Sequence, residues 1–353
     1  MLYRLILKAR DRAYRKGRRK VVCPTVPTVC VGNITVGGTG KTPHTEMILR
    51  ELLASTAWKE RSIAVLSRGY KRKSKGWYEV QADSTAALAG DEPLQIKRNF
   101  PGVRITVHKN RIEALAKLTE DGTDIVILDD AFQYRRLKAA LSIVLVDYNR
   151  PTSSDSLLPF GRLRDLPERL FDADMVIVTK CPDIYPEQKR DFALKLGFTA
   201  YDTDSFIGTC PDGHAIPVLF SSLEYGHPKP VFPEGDAHYN YSPDMIVVSG
   251  IANPEPLRRY VGDSHKVDAS VKFPDHHAFS RGDIRKIDTL MRRFPTAGAI
   301  TTQKDAQRFE GCRHASDALK RRLFYLPIEV KFLSEEERAL FVERLESLGQ
   351  TGV

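Results

Sequence analysis

Five short stretches of this chain are almost uniformly apolar: residues 28–31, 63–66, 125–128, 143–146 and 175–178. A strand with one wet face alternates apolar and polar residues, and these do not. They predict strands buried on both faces, as in a parallel sheet. Helical periodicity fills the gaps between them at residues 43–55, 111–120 and 186–196. Strand and helix in alternation predict a doubly wound α/β unit. The pattern loosens over residues 206–225 into short strands, and residues 228–241 read as a Pro-, Gly- and His-rich linker or loop. A second series follows: a strand at 245–248, helices at 254–261 and 281–294, and a strand at 297–301. A Glu-rich helix over 334–348 closes the chain, with Ser334 and Glu337 spaced as a capping box. The expected architecture is a larger α/β unit over residues 1–222 and a smaller one over 223–353.

Composition narrows the class. Of 353 residues, 42% are hydrophobic and 28% charged, which suits a globular protein and excludes a disordered one. No apolar run approaches the roughly 20 residues of a membrane-spanning helix. Five scattered cysteines, never spaced as CxxC, argue against a disulfide scaffold or structural zinc. No secretory signal is evident at the N-terminus, so a reducing, cytoplasmic setting is expected.

The net charge of +9 is concentrated at one end. Residues 1–20 hold nine bases and a single acid, Asp11, leaving the remaining body nearly neutral. Leu2, Leu5, Ile6, Ala9 and Ala13 recur there at helical spacing, with Arg and Lys between them. Two readings stay open: a helix lying in an anionic membrane interface, or a solvated helix packed on the protein. A nearly neutral body argues against nucleic acid.

The strongest chemical signal is residues 31–43, VGNITVGGTGKTP, between a predicted strand and a predicted helix. That is the setting of a phosphate-binding P-loop. Its glycines allow tight turns that aim backbone N–H groups at phosphate oxygens, and a helix N-terminus adds a positive dipole end. Lys41 is placed for terminal phosphates and the Thr42 hydroxyl for Mg²⁺. Thr35 stands where the consensus has glycine, and Gly37-Gly38 supply the lost freedom. The acid such a site needs at the end of a buried strand is Asp129 or Asp130. A P-loop-type nucleotide-binding fold is therefore expected.

A P-loop alone does not separate a kinase from a switch ATPase or GTPase. A kinase also needs a group to orient or deprotonate its acceptor. Gly90-Asp91-Glu92-Pro93 offers acids at a turn or helix cap. Phe273-Pro274-Asp275-His276-His277 offers histidines for proton transfer, for a metal or for structure alone. Basic groups at 67–73, at Arg111 and at Arg135-Arg136 could hold an anion or be solvated. The guanine-binding NKxD pattern is missing, since Thr179-Lys180-Cys181-Pro182 lacks both its Asn and its Asp. Val36 stands where related ATPases carry a signature Lys.

In order along the chain, GGTGKT, SRGY, GDEP, Asn110-Arg111, LDDAFQ and FPDHH, with LPFGRLR and TTQKDA, resemble the tetraacyldisaccharide 4'-kinase family of lipid A synthesis. The resemblance runs from about residue 5 to 341. It implies a kinase that uses ATP and Mg²⁺ to phosphorylate the 4'-hydroxyl of a tetraacyldisaccharide 1-phosphate, giving lipid IVA for lipopolysaccharide. It also implies a site between two α/β domains and peripheral attachment to the cytoplasmic face of the inner membrane through the N-terminal helix. Carried over by residue, Gly37, Gly38, Thr39, Gly40, Lys41, Thr42 and Arg111 would hold the nucleotide. Thr42, Glu92, Asp129, Asp130 and Gln133 would organise metal and phosphates. Asp91 would be the base, supported by His276, with Lys41 on the transferred phosphate.

Overall fold

The computed structural model describes residues 2–350. The larger unit opens with helix α1 (Leu2–Arg15), strand β1 (Thr28–Gly32), α2 (Lys41–Ala54), β2 (Ile63–Ser67) and β3 (Tyr78–Val80). It continues through α3 (Ala86–Ala89), α4 (Asp91–Asn99), β4 (Arg104–Val107), α5 (Arg111–Glu120), β5 (Ile125–Asp129), β6 (Leu141–Asp147) and β7 (Met175–Thr179). Next come α6 (Pro186–Leu196), β8 (Ala200–Asp202), β9 (Ile207–Thr209) and β10 (Ala215–Tyr225). These strands form one sheet in the order β3-β4-β2-β5-β1-β6-β7-β10-β9-β8. All pairings from β4 through to β10 are parallel.

The uniformly apolar runs have a simple cause. Val29 and Val31 of β1 enter the core on one face of the sheet, and Cys30 enters the core on the other. The same alternation holds in β5, where Ile125 and Ile127 face one layer and Val126 and Leu128 the other. Helices cover both faces, so every position of these strands is apolar.

The smaller unit holds β11 (Lys229–Pro230), α7 (Ala237–Asn240), β12 (Asp244–Ser249), α8 (Glu255–Ser264), β13 (Lys266–Lys272) and α9 (Arg281–Arg293). It ends with β14 (Gly298–Thr302), α10 (Gln303–Glu310), α11 (Asp317–Arg322) and β15 (Leu323–Leu326). Its sheet runs β11-β15-β14-β12-β13 and is parallel except at β11. The expected linker at 228–241 thus contains a short strand and one helical turn.

The tail returns to the larger unit. Strand β16 (Ile328–Phe332) pairs antiparallel with the far half of β10, and α12 (Glu335–Gln350) packs beside α2. Phe341 and Leu345 enter the core of the large sheet, and buried Trp58 donates its ring N–H to the Leu345 carbonyl at 3.0 Å. We therefore propose the division just after Tyr225, since a cut at 222 would split β10, with the tail from 328 assigned to the larger unit. At the start of α12, the Glu337 N–H donates to Ser334 Oγ at 3.2 Å. The Glu337 carboxylate also accepts from the Phe220 N–H and from Lys189, each at 2.8 Å, which staples α12 to β10 and α6.

Helix α1 docks on the body through a mixed polar and apolar face. Leu7 is buried, and Tyr3, Arg10, Asp11 and Tyr14 line the same side against the protein. Leu2, Leu5 and Ile6 stay 73%, 63% and 54% exposed.

Candidate active site

The carboxyl ends of β1, β2 and β5 lie side by side, because β1 pairs with β5 in the register Val31↔Asp129 and β2 with β5 in the register Leu66↔Leu128. In an open α/β sheet this edge is where ligands bind. Glycine stands at position 32, the end of β1, because a Cβ there would lie 2.5 Å from the Phe132 Cβ. The loop to Gly40 then turns into α2, with Gly40 at φ 85° as its cap. Val36 N–H donates to the Arg162 carbonyl at 2.7 Å, and Asn33 Nδ2 to Thr39 Oγ1 at 2.8 Å. The Thr39 carbonyl accepts from Thr179 at 3.0 Å, and the Gly38 carbonyl from Lys180. His44 Nδ1 donates to the Gly40 carbonyl at 2.8 Å, and burial pushes its imidazole down to about 4, so it is a neutral support. Gly37 and Gly38 remain exposed at the tip.

Asp129 ends β5 and is buried. Burial first, then the charges of Asp130 and Glu92, push its carboxyl up to about 6. Ser67 Oγ donates to its Oδ2 at 3.0 Å, while Oδ1 is buried without a hydrogen-bond partner. Asp130 takes a left-handed conformation at φ 50°. Burial would raise its carboxyl, but Lys41 and Arg164 outweigh that and hold it below the usual range. Lys41 Nζ lies 3.9 Å from Asp130 Oδ1. Its ammonium is lowered by desolvation.

The second cluster joins the two units. Gly90, at φ 93°, lets Asp91 open α4, so GDEP is a helix start rather than a surface turn. Asp91 is buried and its Oδ2 lies 2.7 Å from His276 Nδ1. Arg308 of α10 grips the same carboxylate in bidentate fashion, Nε to Oδ1 at 3.0 Å and Nη2 to Oδ2 at 2.6 Å. Burial would raise Asp91, but its hydrogen bonds to His276 and Arg308 bring it down to about 2. Arg308 is itself held by Asp305 at 2.8 Å, and Asp305 accepts from the Gly250 N–H at 2.8 Å. Lys304 donates to Glu92 at 2.8 Å and sits 3.4 Å from His276 Nε2. The Tyr70 ring meets His276 edge-on at 5.7 Å.

Most of the singled-out residues meet along this edge. Glu92 is close enough to Lys41 and Asp129 to act on their charges, and so links the clusters. Arg111 is buried and donates to the Asp130 carbonyl at 3.1 Å, so it steadies the acid. Gln133 directs its amide nitrogen to the Asn33 carbonyl. His277 pairs with Asp283 at 2.9 Å and stacks on Phe273, a structural role. Among the described residues, no group of three His, Cys, Asp or Glu side chains could by itself hold a metal ion. Sequence reasoning assigned no role to Arg308, Lys304, Arg164 or Ser67. The first three lie in or beside the TTQKDA and LPFGRLR segments, which was the available signal.

The family model described as tetraacyldisaccharide-1-P 4'-kinase matches residues 1–347. A tetraacyldisaccharide 4'-kinase of Parabacteroides distasonis is 39% identical, covering 89% of this chain and 83% of that one. Another, from Cytophaga hutchinsonii, is 35% identical over 99% of this chain and 96% of its own length. A crystal structure of LpxK from Aquifex aeolicus in complex with ATP superposes with a TM-score of 0.71 at 25% identity, covering 98% of this chain and 96% of that one. A match of this extent, over both units and the tail, means that the chain belongs to the tetraacyldisaccharide-1-P 4'-kinase family.

Proposed function

We propose that this edge carries out the family's reaction, transfer of the γ-phosphoryl group of ATP to the 4'-hydroxyl of a tetraacyldisaccharide 1-phosphate in lipid A biosynthesis. The contact between Asp91 and His276 supports this reading most directly, because it joins GDEP to FPDHH across two units beside the P-loop.

The backbone N–H groups of residues 37–42 would cradle the triphosphate, and Lys41 would leave Asp130 for its terminal oxygens. Mg²⁺ prefers oxygen donors. The unpartnered Asp129 Oδ1, with Glu92 and Asp130 close enough to act on its charge and Thr42 in the first turn of α2, would be a fitting donor set. A metal held there would supply charge neutralisation for the phosphates. Gln133 fits better as a brace on Asn33 than as a ligand.

Phosphoryl transfer passes through a loose transition state, so positioning outweighs strong base chemistry. A carboxyl held at about 2 binds a proton weakly by itself. Asp91 would therefore orient the 4'-hydroxyl and take its proton late, with His276 hydrogen-bonded beside it. Lys304 and Arg308 bring positive charge from the smaller unit.

No helix among the described residues is long and apolar enough to cross a membrane. The exposed Leu2, Leu5 and Ile6, flanked by Arg4, Lys8 and Arg12, support peripheral docking on an anionic surface. We propose the cytoplasmic face of the inner membrane, where a lipid-bound acceptor would be reached.

Asp91→Asn and His276→Asn test the site, with transfer of labelled phosphate to the glycolipid as readout. Each should lower kcat by about 100-fold or more with little change in ATP affinity. Undiminished turnover in Asp91→Asn would remove the pair from the chemistry.

A further inference from the structure

We infer that α1 is a brace for the phosphate loop as well as a membrane foot, with Tyr3 and Arg10 acting as positioning residues for phosphoryl transfer. The inference rests on the P-loop edge being the kinase site.

Two separate hydrogen-bonded routes run from one face of α1 into that edge. Tyr3 Oη donates to the Arg164 carbonyl at 2.9 Å. The Arg164 guanidinium then grips the Asp130 carboxylate with both terminal nitrogens and reaches the Asn33 carbonyl at 3.3 Å. Arg10 donates to the Gln133 carbonyl at 2.8 Å, and the Gln133 side chain donates to the Asn33 carbonyl. Both routes converge on Asn33, which in turn donates to Thr39 inside the P-loop at 2.8 Å.

The edge needs such support. Asp130 is a non-glycine residue in the left-handed region, a conformation that persists only where its surroundings impose it. Arg164 and Arg111 impose it, one on the carboxylate and one on the carbonyl. Two ion pairs tie the far end of α1 to the same body, Asp11 with Arg135 and Arg15 with Asp172 at 3.0 Å.

The opposite face of the helix is apolar and free. An isolated helix of 14 residues is marginal in water, so what its two faces touch decides its order. An anionic lipid surface covering Leu2, Leu5 and Ile6 would hold α1 in place, and through it Arg164, Gln133 and Asn33. Turnover would then be faster on the surface that presents the acceptor than away from it.

The full chain carrying Tyr3→Phe and Arg10→Gln tests this, because the apolar face is left intact. Turnover is measured in nonionic micelles containing tetraacyldisaccharide 1-phosphate, where membrane docking is not required. The expected result is a kcat about tenfold lower, faster backbone hydrogen exchange over residues 33–39 and 130–136, and unchanged binding to phosphatidylglycerol vesicles. Arg10→Lys should recover most of the loss. Tyr3→Phe alone, which removes one hydroxyl, gives a partial loss and serves if the double variant folds poorly. Wild-type kcat and exchange rates in the double variant would overturn the brace. Asp91→Asn is the control: if it stays active the site assignment fails, and if it is inactive while the double variant is normal, only the brace fails.

Discussion

Replacing Asp129 with Asn should stabilise the ligand-free protein while destroying its activity. The Asp129 carboxyl is displaced from 3.8 to about 6, chiefly by burial and then by Asp130 and Glu92. At about 1.4 kcal/mol per pKa unit, that displacement costs the folded state up to about 3 kcal/mol once the group is ionised. The sign follows from proton binding. Between roughly pH 4 and 6 the folded chain holds a proton that the unfolded chain has released, so stability falls as pH rises through that window and levels off above it. Asn keeps the shape and the Ser67 hydrogen bond but carries no charge. Urea denaturation of both proteins at several pH values measures the difference. The advantage of Asp129→Asn should be small near pH 4, grow up to about pH 6 and then stay constant. MgATP at about 1,000-fold excess over its dissociation constant should reverse the ranking, because it adds about 4.1 kcal/mol to a protein that binds it. An advantage that does not vary with pH would refute the reasoning.

Further outcomes are expected elsewhere. Lys41→Ala should lower transfer by at least about 100-fold with the melting temperature nearly unchanged, measured by label transfer alongside calorimetry. Arg308→Met should destabilise the fold by about 3 kcal/mol, because it strands the buried Asp91. Asp91 sits at about 2 against 3.8, so its stabilising contribution is present above pH 4 and lost as pH falls through about 2; acid titration of unfolding should show that loss shrink in Arg308→Met. Replacing Leu2, Leu5 and Ile6 with Ser should release the protein from anionic vesicles in flotation assays, since each buried apolar side chain is worth about 2 kcal/mol.

The nucleotide half of the site was legible because its chemistry is local. A glycine-rich turn between a buried strand and a helix, and an acid ending a second strand, are contiguous patterns. The core was legible for a related reason: strands covered on both faces need apolar residues throughout, and those runs stand out. What escaped depends on contacts far apart in sequence. Arg308 meets Asp91 across 217 residues, and the adjoining TTQKDA segment marks the region without naming the partner. Arg164 reaches Asp130 through a loop without regular periodicity. Residues 328–332, Ile-Glu-Val-Lys-Phe, do alternate and suit an antiparallel strand, yet alternation names no partner strand. In α1 the sequence left two settings open, and the helix combines both: it binds the body through Tyr3, Leu7, Arg10 and Asp11 and leaves Leu2, Leu5 and Ile6 outside. The histidine pair also divides its roles, since only His276 turns to Asp91 while His277 pairs with Asp283 in the first turn of α9.

The most direct measurement follows the label from γ-labelled ATP with the tetraacyldisaccharide 1-phosphate and with its 4'-deoxy analogue. The account predicts a new phosphate monoester at the 4' position, absent with the analogue and absent in Asp91→Asn. Release of the label as inorganic phosphate at one rate with either compound, and no labelled glycolipid, would contradict it.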